Sequence, residues 1–141
     1  MRDNDWLAER LNALHRTYFA DVAVSNRLYA RFGRKSRTRL GSIIAKTHKN
    51  YAEPVTYITI TGLFRDEQVP AFVIEATLAH ELAHYAHGFH SPLPRRFDHP
   101  HRGNVVGLEL QARGAYHLVE QQERWLKAEY ADLIRNMIND A

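Results

Sequence analysis

Apolar residues recur at helical intervals near the start of the chain. In "WLAERLNALHRTYF", Leu7, Leu11, Leu14 and Tyr18 fall three or four positions apart, which predicts an amphipathic helix with one buried stripe. The period then shortens. "DVAVSNRLYARFG" and "RTRLGSIIAKT" read as short strands on either side of a basic turn around Gly33. "EPVTYITITGLF" is the clearest strand, a run of β-branched and aromatic residues between Pro54 and Gly62. Pro70 suits the first turn of a helix, where its fixed φ helps and its missing N–H is not needed. From there "PAFVIEATLAHELAHYAH" keeps the helical period until Gly88, a natural C-terminal breaker. The segment "GFHSPLPRRFDHPHRG" holds three prolines and two glycines and predicts a loop. Two more helices are expected, roughly over 104–121 and 123–139, the last with Leu126, Tyr130, Leu133, Met137 and Ile138 on one side. The predicted class is α+β: a small, mostly antiparallel sheet packed on a central helix, with helices at both ends of the chain.

Composition narrows the chemistry. A chain of 141 residues is the size of one domain with its own core, and 45% hydrophobic with 25% charged residues is ordinary for a globular protein. There is no cysteine, so disulfides and thiolate metal sites are excluded, and any metal must be held by histidine, carboxylate or water. No run of eighteen apolar residues predicts a membrane span. The opening "MRDNDWLAERLNAL" is too charged for a secretion signal, so a cytoplasmic location is expected. The net charge of +3 is unevenly placed: Arg27, Arg31, Arg34, Lys35, Arg37 and Arg39 form a run without a carboxylate. Such a run is either a solvated face or a weak nucleic-acid contact.

The strongest chemical signal is "HELAHYAHGFH", residues 80–90, with four histidines and a glutamate. His80, Glu81 and His84 form an H-E-x-x-H pattern inside the predicted helix. Residues i and i+4 lie one turn apart on one face, so both imidazoles can reach a single ion. Glu81 is rotated about 100° from His80, so it points beside the ion and can act as a base toward a metal-bound water. Four residues compete for the third ligand position. His87 is one turn beyond His84 and would point past the ion, as a surface histidine or a neighbour of the ligands. His90 gives the spacing used by metzincins, although Gly88 stands one position later than their glycine and Met137 does not sit in a methionine turn. Glu109 could serve as a carboxylate ligand from a following helix. His101 completes the set.

Three pieces in order resemble the SprT-like metallopeptidases, the group that includes Spartan and WLM-type proteases: the strand "TYITITGLF", the helix "VIEATLAHELAHY" and the segment "HRGNVVGLELQARG". The likeness spans roughly 37–114. Arg102 separates His101 from Gly103, where the family has glycine directly after its third histidine, and Val105 replaces a common aromatic residue. Small relatives of the YgjP type place their third histidine where His90 stands. The resemblance implies a zincin-like domain over 1–141 that binds Zn²⁺ through His80, His84 and His101, with water in the open position and Glu81 as general base. It implies a peptidase acting on peptides or proteins. An extended substrate is expected to pair with an edge strand at Tyr57, Ile58 and Thr59. Tyr85, Tyr116 and His117 are unassigned candidates for stabilising an oxyanion. Spartan and WLM-type relatives cut proteins attached to DNA, which the basic run would suit. A latent or non-catalytic zinc-binding module is the alternative.

Overall fold

The computed structural model describes residues 1–139, with side chains as far as Met137; the side chain of Ile138 lies outside the described residues. The chain forms helix α1 (Asn4–Tyr18), strands β1 (Leu28–Phe32), β2 (Gly41–Lys46) and β3 (Val55–Ile60), a 3-10 turn over Gly62–Arg65, and helices α2 (Ala71–Ala86), α3 (Val105–Ala112), α4 (Tyr116–Trp125) and α5 (Ala131–Asn139). This is a mixed α+β architecture with a three-stranded sheet. No helix among the described residues is long and apolar enough to cross a membrane.

Helix α1 starts where Asp3 accepts a hydrogen bond from the Trp6 N–H at 2.9 Å, a side-chain cap on an otherwise orphaned donor. Its Leu7, Leu11 and Leu14 are buried, as their spacing predicts. They share one core with Ala30, Ile58 and Ile60 of the sheet and with Ile74, Leu78 and Leu82 of α2. Along β3, Ile58 and Ile60 are fully buried while Tyr57 and Thr59 are half-buried on the other face. That is the period-two alternation of a sheet with one face on the core.

The strand order is β1-β3-β2, and it corrects two expectations. The sheet is not mostly antiparallel: β1 pairs with β3 in parallel, Leu28 opposite Thr56, and β2 pairs with β3 antiparallel, Gly41 opposite Ile60. The basic segment between β1 and β2 crosses over the place that β3 fills, a width of roughly 10 Å, instead of closing a hairpin. As a result Tyr57, Ile58 and Thr59 lie in the central strand, whose backbone is paired on both sides. They cannot take a substrate strand, and the edges belong to β1 and β2.

The C-terminal helices also divide differently. Gly114 adopts φ 73° and ends the expected 104–121 helix, with the Ala115 N–H bonded to the Leu110 carbonyl at 2.8 Å. The break expected near residue 122 is absent. Gln122 directs its amide to the Val73 carbonyl and Thr77 Oγ1 of α2, at 2.9 and 2.8 Å, and the chain continues through a π-helical turn, Leu126–Tyr130, into α5. Trp125, Tyr130, Leu133 and Met137 pack against the core from this arm.

Helix α2 ends as expected. His87 is its C-terminal cap, and Gly88 follows with φ 83°, a conformation that a side chain opposes. A Cβ on Gly88 would collide with the Pro94 carbonyl and would lie 2.7 Å from Arg95 Cα. Because these are backbone atoms, the returning loop would have to move. Gly88→Ala is expected to lower unfolding stability by about 2–4 kcal/mol, the sum of left-handed strain and overpacking, as read from urea denaturation.

Candidate metal centre

His80 and His84 come from the same face of α2, as i and i+4 require. His101 reaches them from the far end of the 88–104 loop, at the turn where Gly103 (φ 71°) and Asn104 (φ 55°) redirect the chain into α3. His84 Nε2 stands 3.1 Å from His80 Nε2 and 3.0 Å from His101 Nε2, and the three ligand atoms all lie within 4.8 Å of one another. His80 is half-buried, His84 buried and His101 exposed.

These three histidines lie close enough to bind one metal ion. A neutral ring has one lone pair or one proton at Nε2, enough for His84 to satisfy one of its two neighbours but not both. A cation at the meeting point takes all three lone pairs. Nitrogens bound at 2.0–2.1 Å in a tetrahedral site are roughly 3.3 Å apart, a few tenths of an ångström more than the two short separations here. Burial, with the neighbouring His101, holds the His80 imidazolium down to about 4, and burial with the surrounding histidines holds His84 to about 3. Both rings therefore present lone pairs at neutral pH. Nδ1 of His84 is buried without a partner, so its ring is set by packing, edge-on to Phe89 at 6.0 Å.

Glu81 sits beside this cluster, 4% exposed, with Oε2 buried and unpartnered. Burial pushes its carboxyl up to about 7 against the opposing charge of Arg39. The cleft in front has a volume of about 490 Å³ and is walled by Arg39, Gly41 and Ile43 on the β2 side and by Thr77 and Gln122 behind. Gly41 is required there. A Cβ on it would lie 2.6 Å from Thr77 Cγ2 and 3.6 Å from Glu81 Cγ, so only a glycine lets the edge strand approach α2 beside the glutamate.

The other candidates for the third ligand are occupied elsewhere. His87 is not a surface residue: it is 1% exposed, and its Nε2 lies 2.7 Å from Glu109 Oε1. Glu109 also accepts from Arg96 at 3.2 Å and from Arg113 at 2.8 Å. Arg113 continues to Asp21 at 2.6 Å and to the Tyr18 carbonyl at 2.9 Å. His90 is exposed with φ 54°, and its Nδ1 accepts the Ala45 N–H of β2 at 3.3 Å. Of the oxyanion candidates, Tyr85 is fully buried, donates to Asn26 Oδ1 and is pushed up to about 12 by burial. His117 faces Tyr18. Tyr116 alone shares a hollow with His80 and His101. Arg39, Gly41 and Gln122 were not singled out as site residues by sequence. Only the glycine carries a local signal, being an interruption inside an otherwise strand-like stretch.

Two members of the basic run face different sides of the sheet. Arg39 lines the cleft, whereas Arg31 lies over the Tyr57 ring at 4.2 Å on the solvent face of the sheet. None of the protein-family models, curated proteins or solved structures compared with the chain matches it.

The hydrogen-bonded chain from His87 through Glu109 and Arg113 to Asp21 sets a pH dependence. Burial alone would raise the Glu109 carboxyl, but the His87 hydrogen bond and the Arg113 charge outweigh it and hold the group below its ordinary range. A depressed carboxylate contributes stability above its unfolded pKa of about 4, and that stability is lost as pH falls through the folded pKa. Glu109→Gln is therefore expected to be less stable than wild type at neutral pH by about 1–3 kcal/mol. The two should converge in acid, as measured by urea midpoints across pH.

Proposed function

We propose that this chain is a zinc-dependent peptidase of the SprT-like kind, with a zincin-like arrangement of a helix-borne H-E-x-x-H beside an edge strand. The observation that carries the reading is the convergence of three imidazole nitrogens next to a buried carboxylate with an unpartnered oxygen, in one cleft. Three protein ligands with a fourth position open distinguish a catalytic zinc site from a closed structural one. A zinc ion held by His80, His84 and His101 would polarise a carbonyl and lower the pKa of a water in its open position.

The chain's own residues supply the rest. Glu81 accepts a proton at Oε2 and holds it, shielded from bulk water, for return to the departing amine. The β2 edge at Gly41–Ile43 offers outward backbone groups to an extended peptide, a mode that needs no particular side chain. Arg39 adds positive charge at the wall of the cleft. A latent zinc module is the second reading, favoured by one observation: the His90 ring already takes the Ala45 N–H on the same edge.

Glu81→Gln is expected to keep one equivalent of zinc and to lose about 10²–10⁴-fold in hydrolysis of an unfolded protein substrate. Equal turnover in the variant and wild type would sink the assigned role. Metal analysis should show His101→Ala weakening zinc binding by at least tenfold, the effect also of losing far weaker contacts around such sites, while His90→Ala leaves it unchanged. Chelation should abolish turnover and added zinc restore it.

A further inference from the structure

His101 is the one histidine of the cluster that α2 does not carry, and the segment that delivers it is fastened on both sides. The loop leaving α2 folds back onto the end of that helix at Gly88, where an added Cβ would lie 2.7 Å from Arg95 Cα. Three consecutive residues then hold it. The Arg95 guanidinium, laid 4.8 Å over the Phe89 ring, donates to the Phe97 and Asp98 carbonyls at 3.1 and 2.7 Å. The Arg96 N–H donates to the His87 carbonyl at 2.9 Å, and its guanidinium donates to Glu109 Oε1 at 3.2 Å. The Phe97 ring meets the buried His87 ring edge-on at 4.8 Å. Only Asp98, His99 and Pro100 separate this fastened turn from His101. Beyond His101 the chain enters α3, which carries Glu109. The contact between Arg96 and Glu109 spans 13 positions of sequence and closes a segment with His101 inside it.

We infer that Arg96 is a positioning residue for metal binding: its clasp on Glu109 holds His101 within reach of His80 and His84 before an ion arrives. The inference rests on the reading of the three histidines as a metal centre. Two side chains one turn apart are placed by the helix itself. A third on a proline-rich loop must be brought in, and an unclasped loop would have to be ordered at the cost of binding energy. The arginine suits this task because the fold barely depends on it. Its side chain is 51% exposed, and exposed ion pairs contribute little to stability. Without it, Glu109 keeps His87 at 2.7 Å and Arg113 at 2.8 Å, so no buried group is orphaned. Loss of the guanidinium frees the loop and spares the core. Metal affinity and stability therefore separate.

The test is titration of zinc in competition with a chromophoric chelator, on wild type, Arg96→Ala, Arg96→Lys, His101→Ala and the double variant Arg96→Ala with His101→Ala, each with its urea midpoint. Arg96→Ala should bind zinc about tenfold more weakly at an unchanged midpoint. Arg96→Lys keeps the charge without the planar fork and should fall between the two. In the His101→Ala background the Arg96 substitution should have no further effect, because the clasp acts only through that ring. Nuclear magnetic relaxation of the metal-free protein gives a second readout. Backbone order parameters over 97–104 should fall in Arg96→Ala, while those of α2 stay at their wild-type values. Wild-type zinc affinity in Arg96→Ala, an additive loss in the double variant, or unchanged order over 97–104 would each overturn the inference and leave the metal centre standing. A lowered urea midpoint in Arg96→Ala that accounts for the whole loss would make the arginine merely structural and overturn it too. A wild type that takes up no zinc would overturn the metal centre and the clasp together.

Discussion

Helix α2 is apolar on nearly every side, and burying it is the constraint from which the rest of the arrangement follows. Twelve of its residues are buried, among them Val73, Ile74, Leu78, Leu82 and Tyr85. A helix of that kind needs cover all round. The sheet covers one side, α1 and α3 cover others, and α4 lies along it. Fully burying each large aliphatic side chain contributes about 1.5–3 kcal/mol, so the packing of this one helix outweighs any single polar contact in the molecule. The polar turn at His80, Glu81 and His84 is embedded in that apolar frame. Its imidazoles are therefore held neutral, and its carboxyl is pushed up to about 7, without any special device.

Keeping polar side chains in such a frame requires close neighbours, and two features supply them. Gly41 lets β2 approach Thr77 and Glu81 without a side chain in the way. On the opposite side, Glu109 gathers His87, Arg96 and Arg113. Arg96 belongs to the loop that carries His101, and its N–H also bonds the His87 carbonyl at 2.9 Å. The loop is thus tied to the end of α2 and to α3 before it reaches the histidine cluster. A partly buried network of this sort adds little net stability over an apolar one, yet losing Glu109 leaves its donors without their shared acceptor. Here its consequence is geometric, because it fixes the path of a loop rich in proline and arginine.

Helix α2 was fully legible in the sequence, since the period, Pro70 and Gly88 all agree on its limits. The strands were legible from their β-branched runs, but their order was not. Nothing in the pattern of β1 or β2 records that the basic segment between them passes over a third strand. That hidden crossing turned Tyr57–Thr59 from an expected edge into the centre. Gly114 and Gln122 show the same limit in the helices. The glycine breaks a helix that the period alone carries onward, and the glutamine spans an expected break through bonds to α2 that no local window contains. Among the candidate ligands, spacing could place His80 and His84 on one face. It could not choose between His90 and His101, because that choice depends on how the 88–104 loop folds back. His87 was rightly set aside as a ligand, but of its two readings, surface or neighbour of the ligands, spacing could not choose the buried one, whose partner Glu109 is twenty-two residues away.

The alternation along β2 joins the two faces of the sheet in a single strand. Ile43 turns toward the cleft with the histidines, while its neighbour Ile44 turns to the opposite face, in line with Tyr57 and Tyr29. Successive side chains on a strand must point to opposite faces, so the same six residues wall the histidine cleft and carry Ile44 on the outer face of the sheet. The two surfaces are separated by one thickness of sheet and share no side chain. Charge divides along the same line. Arg39, at the start of the strand, bears on Glu81 and raises the potential inside the cleft, whereas Lys46, at its end, lies over Tyr57 on the outer face. Within the basic run the same division holds, with Arg39 at the cleft and Arg31 over Tyr57 on the outer face. The carboxylate that tunes the cleft therefore does not neutralise the aromatic face.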